Sequence, residues 1–221
     1  MSKKPGKRRP SAQRASAQRP PAPRPAPAGQ PVNPTTQRTP EQARGNANLI
    51  LGAGLAAVFL LFWYYHLLTL NQMTDLSAGL AMPDQLAGGY DAAHVEALRA
   101  AMDDDARGQL NYLHKTAGLL FPLFLALVTM LAVAVHVERG WKRWSLWAVP
   151  MAFAVVDLWE NNAIDALFQA TPPDASAVAL ASTLTVLRWV LLAATGAVAA
   201  GVLVAAFIHT LRSKMREAGP R

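Results

Sequence analysis

Residues 116–137 read TAGLLFPLFLALVTMLAVAVHV, without one Asp, Glu, Lys or Arg. A helix needs about 20 mostly apolar residues to cross the hydrocarbon layer, and this stretch is long enough. A helix in a soluble bundle would carry a polar stripe at helical spacing, which is missing here. Upstream, 47–70 (ANLILGAGLAAVFLLFWYYHLLTL) is equally uncharged, and so is 189–211 (WVLLAATGAVAAGVLVAAFIHTL) downstream. Between them, 144–168 begins apolar, WSLWAVPMAFAVV, and turns polar, DLWENNAIDALF. It spans only if its acids face protein or water. The fold class read from this pattern is all-α: a polytopic membrane protein with a four-transmembrane-helix bundle. The spans are placed at 47–70, 116–137, 144–168 and 178–211, the last with an outer extension.

Charge divides the chain. The whole carries a formal net charge of +7 and no cysteine. Residues 1–46 hold ten Lys/Arg against one acid, Glu41, so the basic character belongs to this segment and the remainder is slightly acidic. Its Pro, Ala, Gln and Arg cannot bury enough surface to offset ordering, which predicts a disordered basic cytoplasmic tail. The link 138–143 (ERGWKR) and the end 212–221 are also basic, whereas 71–115 holds three basic residues and seven acids. Positive charge collects on the cytoplasmic side. Both termini are therefore expected in the cytoplasm, with 71–115 outside the cell membrane. The lipid bilayer is the first expected partner, and the basic tail suits anionic lipid headgroups. Nucleic acid is not expected, for want of a folded, aromatic-bearing reader.

The loop 71–115 is too long for a plain connection. Asp91 is suited to cap a helix, and Val95, Leu98 and Met102 recur on one face. A helix near 91–104 is expected, ending in Asp103, Asp104 and Asp105. These three lack the spacing of a calcium loop.

The third span holds the candidate site. Asp157, Glu160, Asn161 and Asp165 fall on one helix face. Counted from Trp144 at about 1.5 Å per residue, Asp157 lies about 20 Å up and Asp165 about 32 Å. Arg188, counted back from Arg212, lies about 36 Å up, and His66 about 28 Å up the first span. His114 and Lys115 begin the second span from outside, so four regions place polar groups at similar depth. Arg188 is expected to pair with Asp165 or Glu160. Asp157, some 16 Å deeper than Arg188 by this count, is expected to bond instead to Thr129 or Thr195. His114 and His136 would sit about 33 Å apart on a straight helix, a poor spacing for haem. Neither cofactor nor metal is expected, and without cysteine there is no thiolate chemistry. In the fourth span Ala193, Ala197 and Gly201 repeat at four-residue spacing, which suits close helix packing within the chain, or a homodimer or larger membrane complex.

Tyr90, the Val95/Leu98 helix, Arg107-Gly108 with Tyr112, Phe121-Pro122 and Asp157-Leu158-Trp159-Glu160-Asn161 together resemble a group of uncharacterised bacterial four-span integral membrane proteins with a D-x-x-E-N motif in the third span. The resemblance covers residues 90–165. It implies the topology and marks Asp157, Glu160 and Asn161, but brings no reaction with it. Relatives often carry an acid where this chain has Gly118. Two functions follow as expectations. The first is a non-enzymatic structural or accessory four-helix protein with an outer-leaflet polar cluster. The alternative is a small membrane enzyme or proton or small-solute transporter that uses Asp157 and Glu160.

Overall fold

The structure, a computed structural model, describes residues 40–169 and 174–219. The basic tail expected over 1–46 lies, up to residue 39, outside the described residues; from Pro40 the chain is helical. The described residues form no strand. Helix α1 covers Pro40–Phe62 and runs through a π-helical stretch, Trp63–Thr69, into α2, Leu70–Leu76. A loop with one 3-10 turn at Pro83–Gln85 leads to α3, Ala92–Ala101, and α4, Asp104–Lys115. Long helices follow: α5 Ala117–His136, α6 Trp141–Gln169 and α7 Ala175–Ala218.

Three helical rods are long and apolar enough to cross a membrane: Gly45–Leu76, Asp104–His136 and Ala175–Glu217. Each merges elements that the charge pattern alone separates. The chain does not leave its first helix at residue 70, and α4 runs almost directly into α5. Helix α6 has the length, at 29 residues, but acids break its apolar run.

Local chemistry fixes the connections. Asp91 caps α3 by accepting from the His94 N–H at 2.9 Å. That helix stops at Ala101, short of the expected 104, because Asp103 starts a new one, accepting from the Ala106 N–H at 2.8 Å. Asp104 and Asp105 therefore lie in the first turn of α4, where carboxylates complement the helix dipole. Between α5 and α6 the turn is short. Arg143 closes it by donating to the carbonyls of Ala134, at 3.0 Å, and Val137.

One end of the bundle is capped and the other is open. At the capped end, the loop and α3 fold over the helices, burying Met82, Val95 and Leu98. The backbone N–H of Tyr90 donates to Ser182 Oγ on α7 at 2.8 Å, next to Gly89, whose φ of +84° few other residues adopt. At the open end a groove of about 1230 Å³ lies among α1, α5, α6 and α7, lined by Leu51, Leu55, Val135, Leu146, Ala197 and Gly201 among others. The small-residue face expected to pack within the chain opens onto this groove. Ala193, Ala197 and Gly201 are exposed, and a Cβ added at Gly201 would meet nothing within 4 Å.

Candidate buried polar site

Two backbone irregularities prepare the site. The first is the π-helical turn in the first rod. Adjacent residues of an α-helix point about 100° apart, so both seldom face one core. The wider turn brings Tyr65 and His66 inward together, 1% and 5% exposed. Thr69 Oγ1 donates to the Tyr64 carbonyl at 2.7 Å, five residues back, and closes the enlarged loop. Such single π turns are frequent at functional positions. The second is Pro122 inside α5, which cannot donate to the carbonyl four residues back, that of Gly118. Asn161 Nδ2 on α6 donates to that carbonyl at 3.0 Å. Gly118 also lacks the side chain that would obstruct this approach: an added Cβ would lie 3.0 Å from Asn161 Nδ2 and 3.3 Å from Tyr65 Oη.

Around Asn161 the capped half of the bundle holds a continuous polar network. Arg188 on α7 is 1% exposed and lies at its centre. Its Nε is 2.5 Å from Glu160 Oε2, and its Nη1 is 3.7 Å from Asp157 Oδ1. Nη1 also approaches His66 Nε2 at 3.1 Å, and Nη2 donates to the Asp84 carbonyl. A guanidinium only donates, so His66 Nε2 accepts and its ring is neutral. Phe62 stacks on that ring at 4.7 Å, with Phe121 and Trp189 at its edges. The indole N–H of Trp189 donates to the Asp84 carbonyl at 3.1 Å.

A second arm runs to the surface. Tyr65 Oη donates to Asp84 Oδ1 at 2.8 Å. His114 at the end of α4 lies between two acids, with Nε2 3.3 Å from Asp84 Oδ1 and Nδ1 2.7 Å from Asp165 Oδ1. An imidazole donates at both nitrogens only as a cation. Asn111 Nδ2 donates to the other oxygen of Asp165 at 2.6 Å. Asp165, 11% exposed at its side chain, and His114 border a small outer pocket of about 200 Å³ that also touches Lys115, Asn161 and Asn162. Burial alone would raise the Asp84 carboxyl. His114, Arg188 and the Tyr65 hydroxyl outweigh it and hold Asp84 below its ordinary 3.8.

The structure thus brings Asp157, Glu160, Asn161, Asp165, Arg188 and His66 into one network, in pairings that differ from those expected. Glu160 is the close partner of Arg188. Asp165 is not; His114 and Asn111 take it. Asp157 is not beyond reach of Arg188, because α7 continues to Ala218 and Arg212 does not mark its end. Counting back from Arg212 therefore set Arg188 too high. Nor do Thr129 and Thr195 bond to Asp157; neither hydroxyl has a hydrogen-bond partner among the described residues.

Sequence reasoning missed Tyr65 and Asp84. Asp84 follows Met82-Pro83, and a proline that starts a turn after an apolar residue is the one local sign that this loop acid turns inward.

The arrangement is negative by count. Four carboxylates (Asp84, Asp157, Glu160, Asp165) face two cationic groups (Arg188, His114), and both Asp157 and Glu160 depend on the same guanidinium. Unpaired charge is costly away from water. Such a site is complete only with protons or another cation bound. Compared with protein families, curated proteins and solved structures, the chain matches none.

Proposed function

We propose that this is a four-span integral protein of a cell membrane whose capped half faces outward and holds exchangeable protons on the Asp157–Glu160 pair. Helix α6 completes the four as the third span in chain order. Its acids enter the bilayer because Arg188, Asn161 and the π-turn residues receive them inside the bundle. The basic link 138–143 and both basic termini lie on the cytoplasmic side. Exposed Trp141 and Trp144 near that link suit a membrane interface, as do Trp63 and Tyr64 near the capped end. The observation that carries the reading is two buried carboxylates sharing one guanidinium. Glu160 Oε2 lies 2.5 Å from Arg188 Nε and Asp157 Oδ1 3.7 Å from Nη1, so the ligand that fits among these groups without rearrangement is a proton. Asp165 and His114, at the outer pocket, are the groups through which it exchanges. The class this supports is a proton-coupled membrane protein.

A structural role is the second reading. It is favoured because the same groups tie elements together: Asn161 to α5, Tyr65 to the loop, and Arg188 to both α6 and the loop. Infrared spectra of purified protein in nanodiscs separate the two. At neutral pH the wild type should show a carboxylic C=O band that Asp157→Asn or Glu160→Gln removes, and that shifts with pH. A spectrum without such a band at any pH between about 5 and 8, where unshifted carboxyls are ionised, overturns the proton reading and leaves a structural ion-pair cluster.

A further inference from the structure

Below the network, toward the open end, the interior is not uniformly apolar. Thr195 on α7 and Thr129 on α5 are 0% and 1% exposed, and neither hydroxyl has a hydrogen-bond partner among the described residues. Asp157 Oδ1 shares that condition, its nearest donor being Arg188 at 3.7 Å. Buried polar atoms are normally satisfied, so these three, of nine such side-chain atoms among the described residues, call for an explanation.

Their levels follow from the antiparallel registers. Asn161 bonds to Gly118, and the Trp147 indole N–H donates to the Met130 carbonyl at 3.0 Å. These two contacts place Thr129 of α5 near the level of Pro150 on α6. Arg188 meets Glu160, and Val178 and Ala181 pack with Leu167. That register places Thr195 of α7 near the level of Phe153. Measured along α6 at about 1.5 Å per residue, Thr195 lies about 6 Å below Asp157, and Thr129 about 5 Å lower again. Leu146, which lines the open-end groove, is about 6 Å further on. Pro150 in α6 also leaves the Leu146 carbonyl without its usual helical donor. The axial separation of each step is one that a single bridging water spans.

We propose that Thr195 and Thr129 are the stations of a proton path that leads from Asp157 to the open-end groove, making the protein a conductor of protons across the whole bundle. The proposal rests on the proton reading of the Asp157–Glu160 pair and extends it to a second exit. The step is a relay. A carboxyl proton leaves Asp157 for a water, whose oxygen passes a different proton to the next level. A threonine hydroxyl accepts one hydrogen bond while donating another, so every water and hydroxyl oxygen keeps its number of covalent O–H bonds, and the Asp157 carboxylate regains a proton from the outer pocket through the Asp165–His114 arm. The charge moved is balanced by counter-ion flow in the surrounding solution. On the outer side, the groups facing Asp157 and Glu160 are Tyr65 and His66 of the first rod, Asp84 of the loop, His114 of α4 and Arg188 of α7. On the inner side the buried polar side chains among the described residues are the two hydroxyls, set among buried Phe153, Val128 and Ala132.

Proteoliposomes holding the full chain and a trapped pH dye, with a potassium gradient and valinomycin as the driving force, test this. Wild-type vesicles should acidify faster than protein-free ones. Thr195→Val and Thr129→Val, which keep shape and lose the hydroxyl, should each slow acidification about tenfold or more, and Thr195→Ser should restore it. Both valine variants should keep the carboxylic infrared band and the wild-type melting temperature. Wild-type flux equal to that of empty vesicles, or valine variants as fast as wild type, overturns the path. Either result leaves the proton-holding pair standing, since that fails only on the infrared band.

Discussion

At the scale of the residue, Gly118 shows how little space the site leaves. Its carbonyl is freed by Pro122 and taken by Asn161, and its missing side chain lets Asn161 and Tyr65 approach. Asn161 cannot retreat without losing that bond. Gly118→Ala should therefore destabilise the protein by about 1–3 kcal/mol, the usual cost of overpacking. Thermal unfolding in detergent against Gly108→Ala, where an added Cβ meets nothing within 4 Å, checks it. Asp84 gives a pH test. Its folded carboxyl is held below 3.8, so the stability it contributes is present above that value and lost as pH falls through and below it. Wild type should lose stability on acidification below about pH 4, and Asp84→Asn should flatten that part of the curve. An unchanged slope in the variant would mean that another carboxyl supplies the acid sensitivity.

Elements were legible in the sequence to differing degrees. Uncharged runs announce the rods, and the i, i+3, i+4, i+8 spacing of Asp157, Glu160, Asn161 and Asp165 puts these on one face from sequence alone. Asp91 signalled the start of α3. The π turn was not legible, because WYYHLLT reads as ordinary apolar helix and the extra residue per turn is imposed by packing. The break between α3 and α4 was missed for a different reason: three aspartates end one helix or begin the next equally well, and the tertiary fold decides. Asp84 was hidden because a loop acid is normally solvated, and only the return of its loop into the bundle removes it from water. Depth by helical rise misplaced Arg188 relative to Asp157, since α7 runs 44 residues and continues past Arg212.

For the whole molecule, the network is assembled from distant parts of the chain. Arg188 meets His66 across 122 residues and the Asp84 carbonyl across 104. During synthesis α6 therefore emerges before its counter-ion exists. With α6 a span, as proposed, Asp157 and Glu160 would have to wait at the insertion machinery, or enter neutralised, until α7 is made, since an unpaired acid at mid-membrane costs about 2.5–3.5 kcal/mol. The last long helix becomes the one that licenses the third. A cysteine at exposed Gln169 reports the event. In the full chain an impermeant thiol reagent should label Gln169→Cys from outside intact cells. In a chain ending at Ala179, which lacks Arg188, labelling should fall and α6 should stay on the synthesis side. Equal labelling of both chains would show that α6 commits to the bilayer unaided. Lower labelling of the shorter chain would make Arg188 a checkpoint on completeness, since α6 would commit only once the arginine had been made.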